Sequence, residues 1–285
     1  MAIIDTISRL VKDPPPEHVF EISEGGISYA HGTETGFRAF EAGTISVSPS
    51  GENVLRPEAV TRLIEEIAPA NGQKKRRRAA LILPDYAARV TVLDFDSFPA
   101  APAEQLPLVK FRIKKTIPFD VDSAAVSYFV QPSGAAKKVE VLVVTMAFDI
   151  VARYEAMFRV RGFHPGEVTT STLAALNLYH GDGVAVVAKL SGQVLTVTVL
   201  SGAVVKLFRC VTLESSDNQE ILGILHPTFA YVEDELASPV RKLVLCGFDH
   251  VPAELRCETE PLRSRLGTPG VYNAGLLGYM ESVVH

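Results

Sequence analysis

The fold is decided by one stretch, GVAVVAKLSGQVLTVTVLSGAVVKLFRCVTL, at residues 183–213. Apolar and β-branched side chains dominate three runs, and Ser-Gly pairs at 191–192 and 201–202 separate these runs. Such runs, joined by short turns that contain glycine, are typical of antiparallel strands. The stretch therefore predicts a three-stranded meander.

The same order of elements is predicted twice. An N-terminal meander at residues 18–23, 26–31 and 43–48 leads to a helix that Pro57 opens and to a buried strand at 79–83. After residue 213, a helix at 218–236, which Pro227 must break or kink, leads to a strand at 240–246. A meander, a helix and a strand form the ribonuclease H-like half unit of the actin superfamily, so the repetition predicts a duplicated α/β fold.

A small α+β subdomain is predicted between the two halves. It contains strands at 90–95, 125–131 and 139–146 and a helix at 103–115. The predicted division is 17–83 plus 147–180 for the first half, 84–146 for the insert, 183–213 plus 240–285 for the second half, and 214–239 for a remnant of a cleft subdomain. These 26 residues can supply a helix or two and little more.

Composition excludes several classes of protein. The chain has 285 residues, of which 47% are hydrophobic, and a net charge of −5 from 28 basic and 33 acidic side chains. This balance argues against disorder and against nucleic acid as a partner. The three sparse cysteines and the lack of a membrane span or signal peptide predict a soluble cytoplasmic protein.

Motifs for catalysis and metal binding are missing from the sequence. There is no Gly-x-Ser-x-Gly, no Walker loop, no Gly-x-Gly-x-x-Gly and no metal-like pairing of histidines. We therefore predict no catalytic residue and no metal site. The basic run KKRRR at 74–78 is either a solvated loop or a weak contact for anionic phospholipid, so any membrane contact is at most peripheral.

Two stretches of the sequence carry specific motifs. Residues 81–130 contain Leu-Pro at 83–84, Phe-Pro at 98–99, KTIPF at 115–119 and SYFV at 127–130, and residues 143–176 contain a long predicted helix, RGFHP at 161–165 and a second helix. Both stretches resemble the PilM family, the cytoplasmic actin-like component of type IV pilus assembly, which is related to FtsA and to the cytoplasmic domain of GspL. The first is similar to the inserted subdomain of PilM and FtsA. As an order of elements, the resemblance covers most of the chain.

The resemblance also implies where a nucleotide would bind, and there the sequence departs from the family pattern. The first phosphate turn falls at EISEGG, residues 21–26, the second at Ala188-Lys189-Leu190, and the adenosine loop at Cys246-Gly247-Phe248. The usual Asp-Ile-Gly is missing from both turns. The matching cofactor positions, a degenerate set, are Glu21, Ser23, Gly25, Gly26 and Gly247. We expect no ATP hydrolysis and no bound ATP or Mg²⁺.

The resemblance further implies a scaffold role. In PilM-like proteins the cytoplasmic tail of a bitopic inner-membrane partner, PilN, docks between the first half and the insert, in a groove that Ile117, Pro118 and Phe119 border here. Packing of these three residues within the insert is the alternative. The function hypothesis is a non-catalytic adaptor, cytoplasmic and peripheral at the inner membrane. A weak ATPase using Glu21 and Glu24, and a self-assembling cytoskeletal homo-oligomer, remain open alternatives.

Overall fold

A computed structural model describes residues 15–48, 51–69, 77–132, 138–252, 255 and 257–283. The first sheet consists of β1 (His18–Ile22), β2 (Gly26–His31), β3 (Glu34–Ala39), β4 (Arg77–Leu83) and β8 (Phe163–Thr170). Their order is β3-β2-β1-β4-β8. β2 is antiparallel to β1 and β3, whereas β4 is parallel to β1 and β8. Three parallel strands therefore end at one edge of this sheet.

The second sheet repeats this arrangement. It consists of β9 (Val184–Ser191), β10 (Val194–Ser201), β11 (Val204–Thr212), β12 (Lys242–Cys246) and β13 (Glu258–Pro261). The order is β11-β10-β9-β12-β13, and the strand directions match those of the first sheet. The chain is thus built from two copies of one unit.

A third sheet lies within the insert. It consists of β5 (Arg89–Phe95), β6 (Ala124–Val130) and β7 (Val139–Ala147), all antiparallel, in the order β5-β7-β6. Helix α2 (Pro102–Ile113) covers one face and buries Val109 and Ile113 completely. The insert is tied to the second half by Gln131, whose side chain bonds both the N–H and the C=O of Val205 at 2.8 Å.

Helices cover both main sheets and fill the space between them. α1 (Pro57–Ile67) and α3 (Phe148–Arg159) pack on the outer face of the first sheet, and α5 (Asn218–Leu236) packs on that of the second. α4 (Ser171–Ala175) and α6 (Ala274–Val283) lie between the sheets and contact apolar residues of both. Within the described ranges, no helix combines the length and apolar character that a membrane span requires.

Helix α6 returns to the first half of the molecule. Its residues Leu276, Tyr279 and Met280 pack with Val19 and Ile82 of the first sheet. The range 240–285, predicted for the second half, therefore contains a helix that covers the first sheet. This crossover brings the N-terminus of α6 to the end of β1.

The prediction of the third strand at residues 43–48 is wrong. The chain forms β3 at Glu34–Ala39, and in the predicted run Ile45 makes only an isolated bridge to Val54. β3 is an edge strand with mostly exposed residues, so it lacks the apolar alternation on which the prediction relied. Gly32, with φ of 60°, supplies the left-handed turn that starts it.

Two other edge strands carry little sequence signal, and neither is among the predicted strands. β8 contains Pro165, and its register against β4 shifts between Ala79 and Ala80. β13 is the polar segment Glu258–Pro261. Proline is tolerated at sheet edges because one side of the strand needs no ladder hydrogen bond. Of the break or kink predicted at Pro227, the break does not occur, since α5 continues through that residue.

The basic run at 74–78 is only partly described, since residues 74–76 lie outside the described ranges. Arg77 donates to the carbonyl of Ala68 at 2.8 Å and lies 3.9 Å from the ring centroid of Phe163. Its charge therefore takes part in internal contacts of the first half.

Candidate functional site

The candidate site lies where strands of the two halves end opposite each other. Glu21 is on β1, Asp85 follows β4, and Ser171 begins α4 directly after β8. Since parallel strands present their carboxyl ends at one edge, these three residues converge. Lys189, on β9 of the second half, faces them.

Glu21 is anchored inside the protein by two donors. One carboxylate oxygen accepts a hydrogen bond from Ser171 Oγ, and the other accepts the N–H of Leu276 at 2.7 Å. Leu276 lies in the first turn of α6, where the helix dipole favours a negative charge. A Cβ on Gly275 would lie 2.8 Å from Glu21 Oε1, so glycine permits this close approach. Burial raises the pKa of Glu21, and Lys189 and these donors oppose that rise.

Asp85 joins elements of both halves. It accepts the N–H of Thr172 at 2.7 Å and also the Thr172 hydroxyl, and so it caps α4. From the second half, Thr196 Oγ1 donates to Asp85 Oδ2 at 3.0 Å. Lys189 Nζ lies 3.9 Å from the same oxygen. A single carboxylate therefore links α4 to β9 and β10.

Lys189 is a cation enclosed by carboxylates. Only 2% of its side chain is exposed. Burial alone lowers the pKa of Lys189, but the carboxylates of Asp85 and Glu21 outweigh burial and raise that pKa above its ordinary value. A buried ammonium needs such partners, because an isolated charge is costly inside a protein. We call Glu21, Asp85, Ser171, Thr172 and Lys189 the cleft cluster.

Almost no space remains inside the cleft cluster. The cavity lined by Glu21, Glu24, Asp85 and Lys189 has a volume of about 10 Å³. That volume is close to the minimum for one water molecule. Side chains of this chain thus fill the place between the two hairpins.

Glu24 brings the two hairpins into direct contact. Its Oε1 is buried and has no hydrogen-bond partner among the described residues. A Cβ on Gly192, in the turn between β9 and β10, would lie 2.1 Å from this oxygen. Burial raises the pKa of Glu24. The first hairpin therefore packs on the turn of the second.

The other predicted cofactor residues are engaged within the protein. Ser23 Oγ donates to the carbonyl of Gly26 at 3.1 Å and accepts the Gly26 N–H at 3.2 Å, so it closes the β1–β2 turn. A Cβ on Gly25 would lie 2.5 Å from the ring of Tyr272. A Cβ on Gly247, where φ is 77°, would lie 2.1 Å from the carbonyl oxygen of Leu190. Only Glu21 of the predicted set belongs to the cleft cluster.

The cleft cluster contains residues that the sequence prediction missed. The predicted set does not include Asp85, Ser171 or Thr172. Lys189 was noted only because it stands in the second turn, where the usual Asp-Ile-Gly is missing. One usable signal is the lysine inside the apolar run VAVVAKLS, because a lysine buried in a strand needs an acidic partner. Asp85 follows a buried strand with only Pro84 between them, which is a second signal.

The three residues predicted to bind a partner differ in exposure. Ile117 packs against the core of the insert, and its N–H donates to the carbonyl of Ile113 at 3.3 Å. Phe119 is half-buried and Pro118 is exposed. Their role in binding stays a prediction.

Solved structures match this chain over nearly its whole length. A chain of the "PilM-PilN type IV pilus biogenesis complex" aligns with a TM-score of 0.72 at 15% identity, covering 96% of this chain and 100% of that chain. The chain has the actin-like ATPase fold. The predicted fold, a duplicated ribonuclease H-like unit with an insert and a reduced second-half cleft subdomain, is confirmed.

A second match supports the actin-like fold. The cytoplasmic domain of EpsL, an inner-membrane component of the type II secretion system of Vibrio cholerae, aligns with a TM-score of 0.55 at 17% identity, covering 94% of each chain. No family model and no curated protein matches the sequence. At identities this low, a shared fold does not carry a shared function.

Proposed function

We propose that this chain is a non-catalytic actin-like scaffold of a type IV pilus or type II secretion-like assembly, which binds the cytoplasmic tail of an inner-membrane partner. The observation that carries the proposal is the cleft cluster, in which Lys189 lies between Glu21 and Asp85. The cavity that these residues line has a volume of only about 10 Å³. In actin-like ATPases this place holds phosphates and Mg²⁺.

The physical argument concerns charge and space. A bound Mg²⁺ would supply positive charge between the two hairpins, and here the Lys189 ammonium supplies it from within the chain. A phosphate would have to displace Lys189 from its two carboxylates and would then face both of them. The cluster thus favours a closed cleft without nucleotide.

The proposed partner class comes from the fold neighbours. One of them is part of a PilM–PilN complex, and the other is an inner-membrane component of a secretion system. A chain that shares their fold and whose cleft is filled retains surfaces for partners. We propose that it works at the cytoplasmic face of the inner membrane, at most peripherally attached.

Nucleotide binding gives the first test. A ligand at one hundred times its dissociation constant stabilises a protein by about 2.7 kcal/mol, which raises the melting temperature by several degrees. We expect millimolar Mg-ATP to leave the melting temperature unchanged and equilibrium dialysis to show no retained ATP. A shift that Glu21→Ala abolishes would establish the weak-ATPase alternative instead.

Partner binding gives the second test. We expect affinity purification of the full chain from membranes solubilised in mild detergent to recover a bitopic inner-membrane protein, whose tail peptide then binds in isothermal titration. Recovery of no such protein, together with light scattering that rises with concentration, would favour the cytoskeletal alternative.

A further inference from the structure

The insert exposes a groove along the outer side of α2. Leu106, Lys110 and Lys114 are spaced four residues apart and form one row along the helix. Pro107 and Phe111 form the adjacent row. With Val121 and Asp122 on the opposite side, these residues line an open groove with a volume of about 440 Å³. We call this the α2 groove.

Phe111 is not needed by the core of the insert. The inner face of α2 already buries Val109 and Ile113, whereas 75% of Phe111 is exposed. Leu106, in the adjacent row, is 36% exposed. Exposed apolar side chains that form one contiguous patch, as these two do, are typical of interaction sites.

The charge of the α2 groove is opposite to that of the chain. The chain carries a net charge of −5, but Lys110 and Lys114 face the groove together with only one acid, Asp122. Neither lysine forms an ion pair with any residue in the described part of the chain. Arg112 is engaged elsewhere, 5.1 Å from the ring centroid of Phe95. Two ammonium groups are thus available to a partner.

Shape and charge together indicate the occupant. A lipid bilayer presents a broad surface and cannot fill a groove of this size, whereas a peptide can. The lysines are one helical turn apart, so their Cβ atoms are separated by about 5–6 Å. Carboxylates on alternate residues of an extended peptide, or four apart on a helix, have a similar spacing. We propose that the α2 groove binds a short peptide segment with apolar and acidic side chains from a protein partner.

The groove inference rests on the proposed scaffold function, because the α2 groove would be one of the docking surfaces of the scaffold. The groove has its own test. The full chain is used to select binders from a random dodecapeptide phage library, and the selected peptides are measured by fluorescence anisotropy. We expect Asp or Glu together with large apolar residues in the selected peptides. Phe111→Ser, and Lys110→Glu combined with Lys114→Glu, should each weaken their binding at least tenfold.

Phe129→Ser provides the matched control. Phe129 is 60% exposed, and it alternates with Tyr128, whose hydroxyl donates to Gln105 of α2, so it lies on the other face of the insert sheet. We expect this variant to bind the peptides like the parent protein. Since Phe111 and Phe129 are both exposed, unchanged melting temperatures should accompany both substitutions.

Three outcomes would overturn the proposal. The first is that no selected peptide loses tenfold affinity on Phe111→Ser, and the second is that basic peptides dominate the selection. The third is binding to vesicles with 30% phosphatidylserine that depends on Phe111, which would make the groove a membrane contact. If a membrane partner is recovered but the selected peptides bind every variant equally, the scaffold role stands and the groove inference fails. If peptides bind in the groove but no membrane protein is recovered, the assembly role fails instead.

Discussion

The two halves of the molecule share a strand order but place opposite charges at the cleft. The first half contributes Glu21 and Asp85, and the second contributes Lys189. Each of these side chains lies near the carboxyl end of a strand next to the central helices. A symmetric pair of acidic hairpins would repel across the cleft, whereas this asymmetric pair attracts.

This difference places the positive charge of the cleft on the chain itself. When both hairpins are acidic, a separate cation must lie between them. A lysine on one hairpin makes that cation part of the chain, and the hydrogen bonds to Asp85 and Glu21 then join α4, α6 and β10 around it. The cavity left among these side chains has a volume of about 10 Å³.

The largest expected effect on stability comes from removing the positive charge of Lys189. Lys189→Met keeps the length and volume of the side chain but leaves Glu21 and Asp85 buried without their counter-charge. Removing one partner of a buried ion pair costs about 3–5 kcal/mol. We expect a loss of that size in the free energy of unfolding, measured by urea denaturation at pH 7.

Two further variants show whether the loss comes from the cluster. Adding Asp85→Asn to Lys189→Met removes one uncompensated charge, so the double variant should lose less than the sum of the single variants, by about 1 kcal/mol or more. Lys242→Met removes a lysine that pairs at the surface with Glu260 at 3.2 Å, and it should change stability little. Equal losses from Lys189→Met and Lys242→Met would contradict a special role for the cluster.

How far the sequence predicts this structure depends on burial. β9 and β10 are buried along most of their length, so their apolar runs predicted them well. β3, β8 and β13 are edge strands with many exposed side chains, so they lack the apolar periodicity by which a strand is predicted. The packing of α6 on the first sheet is a long-range contact that no local pattern encodes.

The candidate site was less predictable than the fold. The resemblance pointed to the turn at residues 21–26, and Glu21 lines the cleft cavity together with Asp85 and Lys189. Asp85 and Ser171 become neighbours of Glu21 only when the sheet places β4 and β8 beside β1. Their pairing with Lys189 requires the second sheet as well. The sequence shows that the turn at residues 188–190 lacks the usual carboxylate, but it does not show that Lys189 contacts Asp85 and Glu21.

A smaller effect on stability tests how tightly the loop after β12 packs against β9. Gly247→Ala would place a methyl group 2.1 Å from the carbonyl oxygen of Leu190 at a φ of 77°. Left-handed backbone costs a non-glycine residue about 1–2 kcal/mol, and overpacking adds about 1–3 kcal/mol. We expect urea denaturation to show a loss of about 2–4 kcal/mol.

The β10–β11 turn of the same half contains the matched control. Gly202 has a φ of 59°, and a Cβ at this position would meet no atom of the described residues within 4 Å. Gly202→Ala should therefore lower the free energy of unfolding only by the cost of the left-handed backbone, about 1 kcal/mol. Similar losses at Gly247 and Gly202 would mean that the loop after β12 has room to move away from β9.

The smallest effect distinguishes the two halves by their response to acid. His18 of β1 is buried and stacks on His31 with ring centroids 4.4 Å apart, whereas β9 contains no histidine. Burial, together with His31 and Arg77, lowers the pKa of His18 to about 4 from an ordinary value of 6.5. Between these two pH values the unfolded chain binds more protons than the folded one. Stability therefore rises with pH across this window and falls on acidification.

Because the imidazole keeps part of its hydration, we expect a loss of about 1–2 kcal/mol between pH 6.5 and pH 4 that His18→Leu removes. Urea denaturation across this range measures the loss, and amide exchange, corrected for its intrinsic pH dependence, should show β1 opening more readily than β9 as the pH falls. His164→Leu, at an exposed position on β8, should leave the pH profile unchanged. Parallel profiles for the parent protein and His18→Leu would show that His18 does not make the first half sensitive to acid.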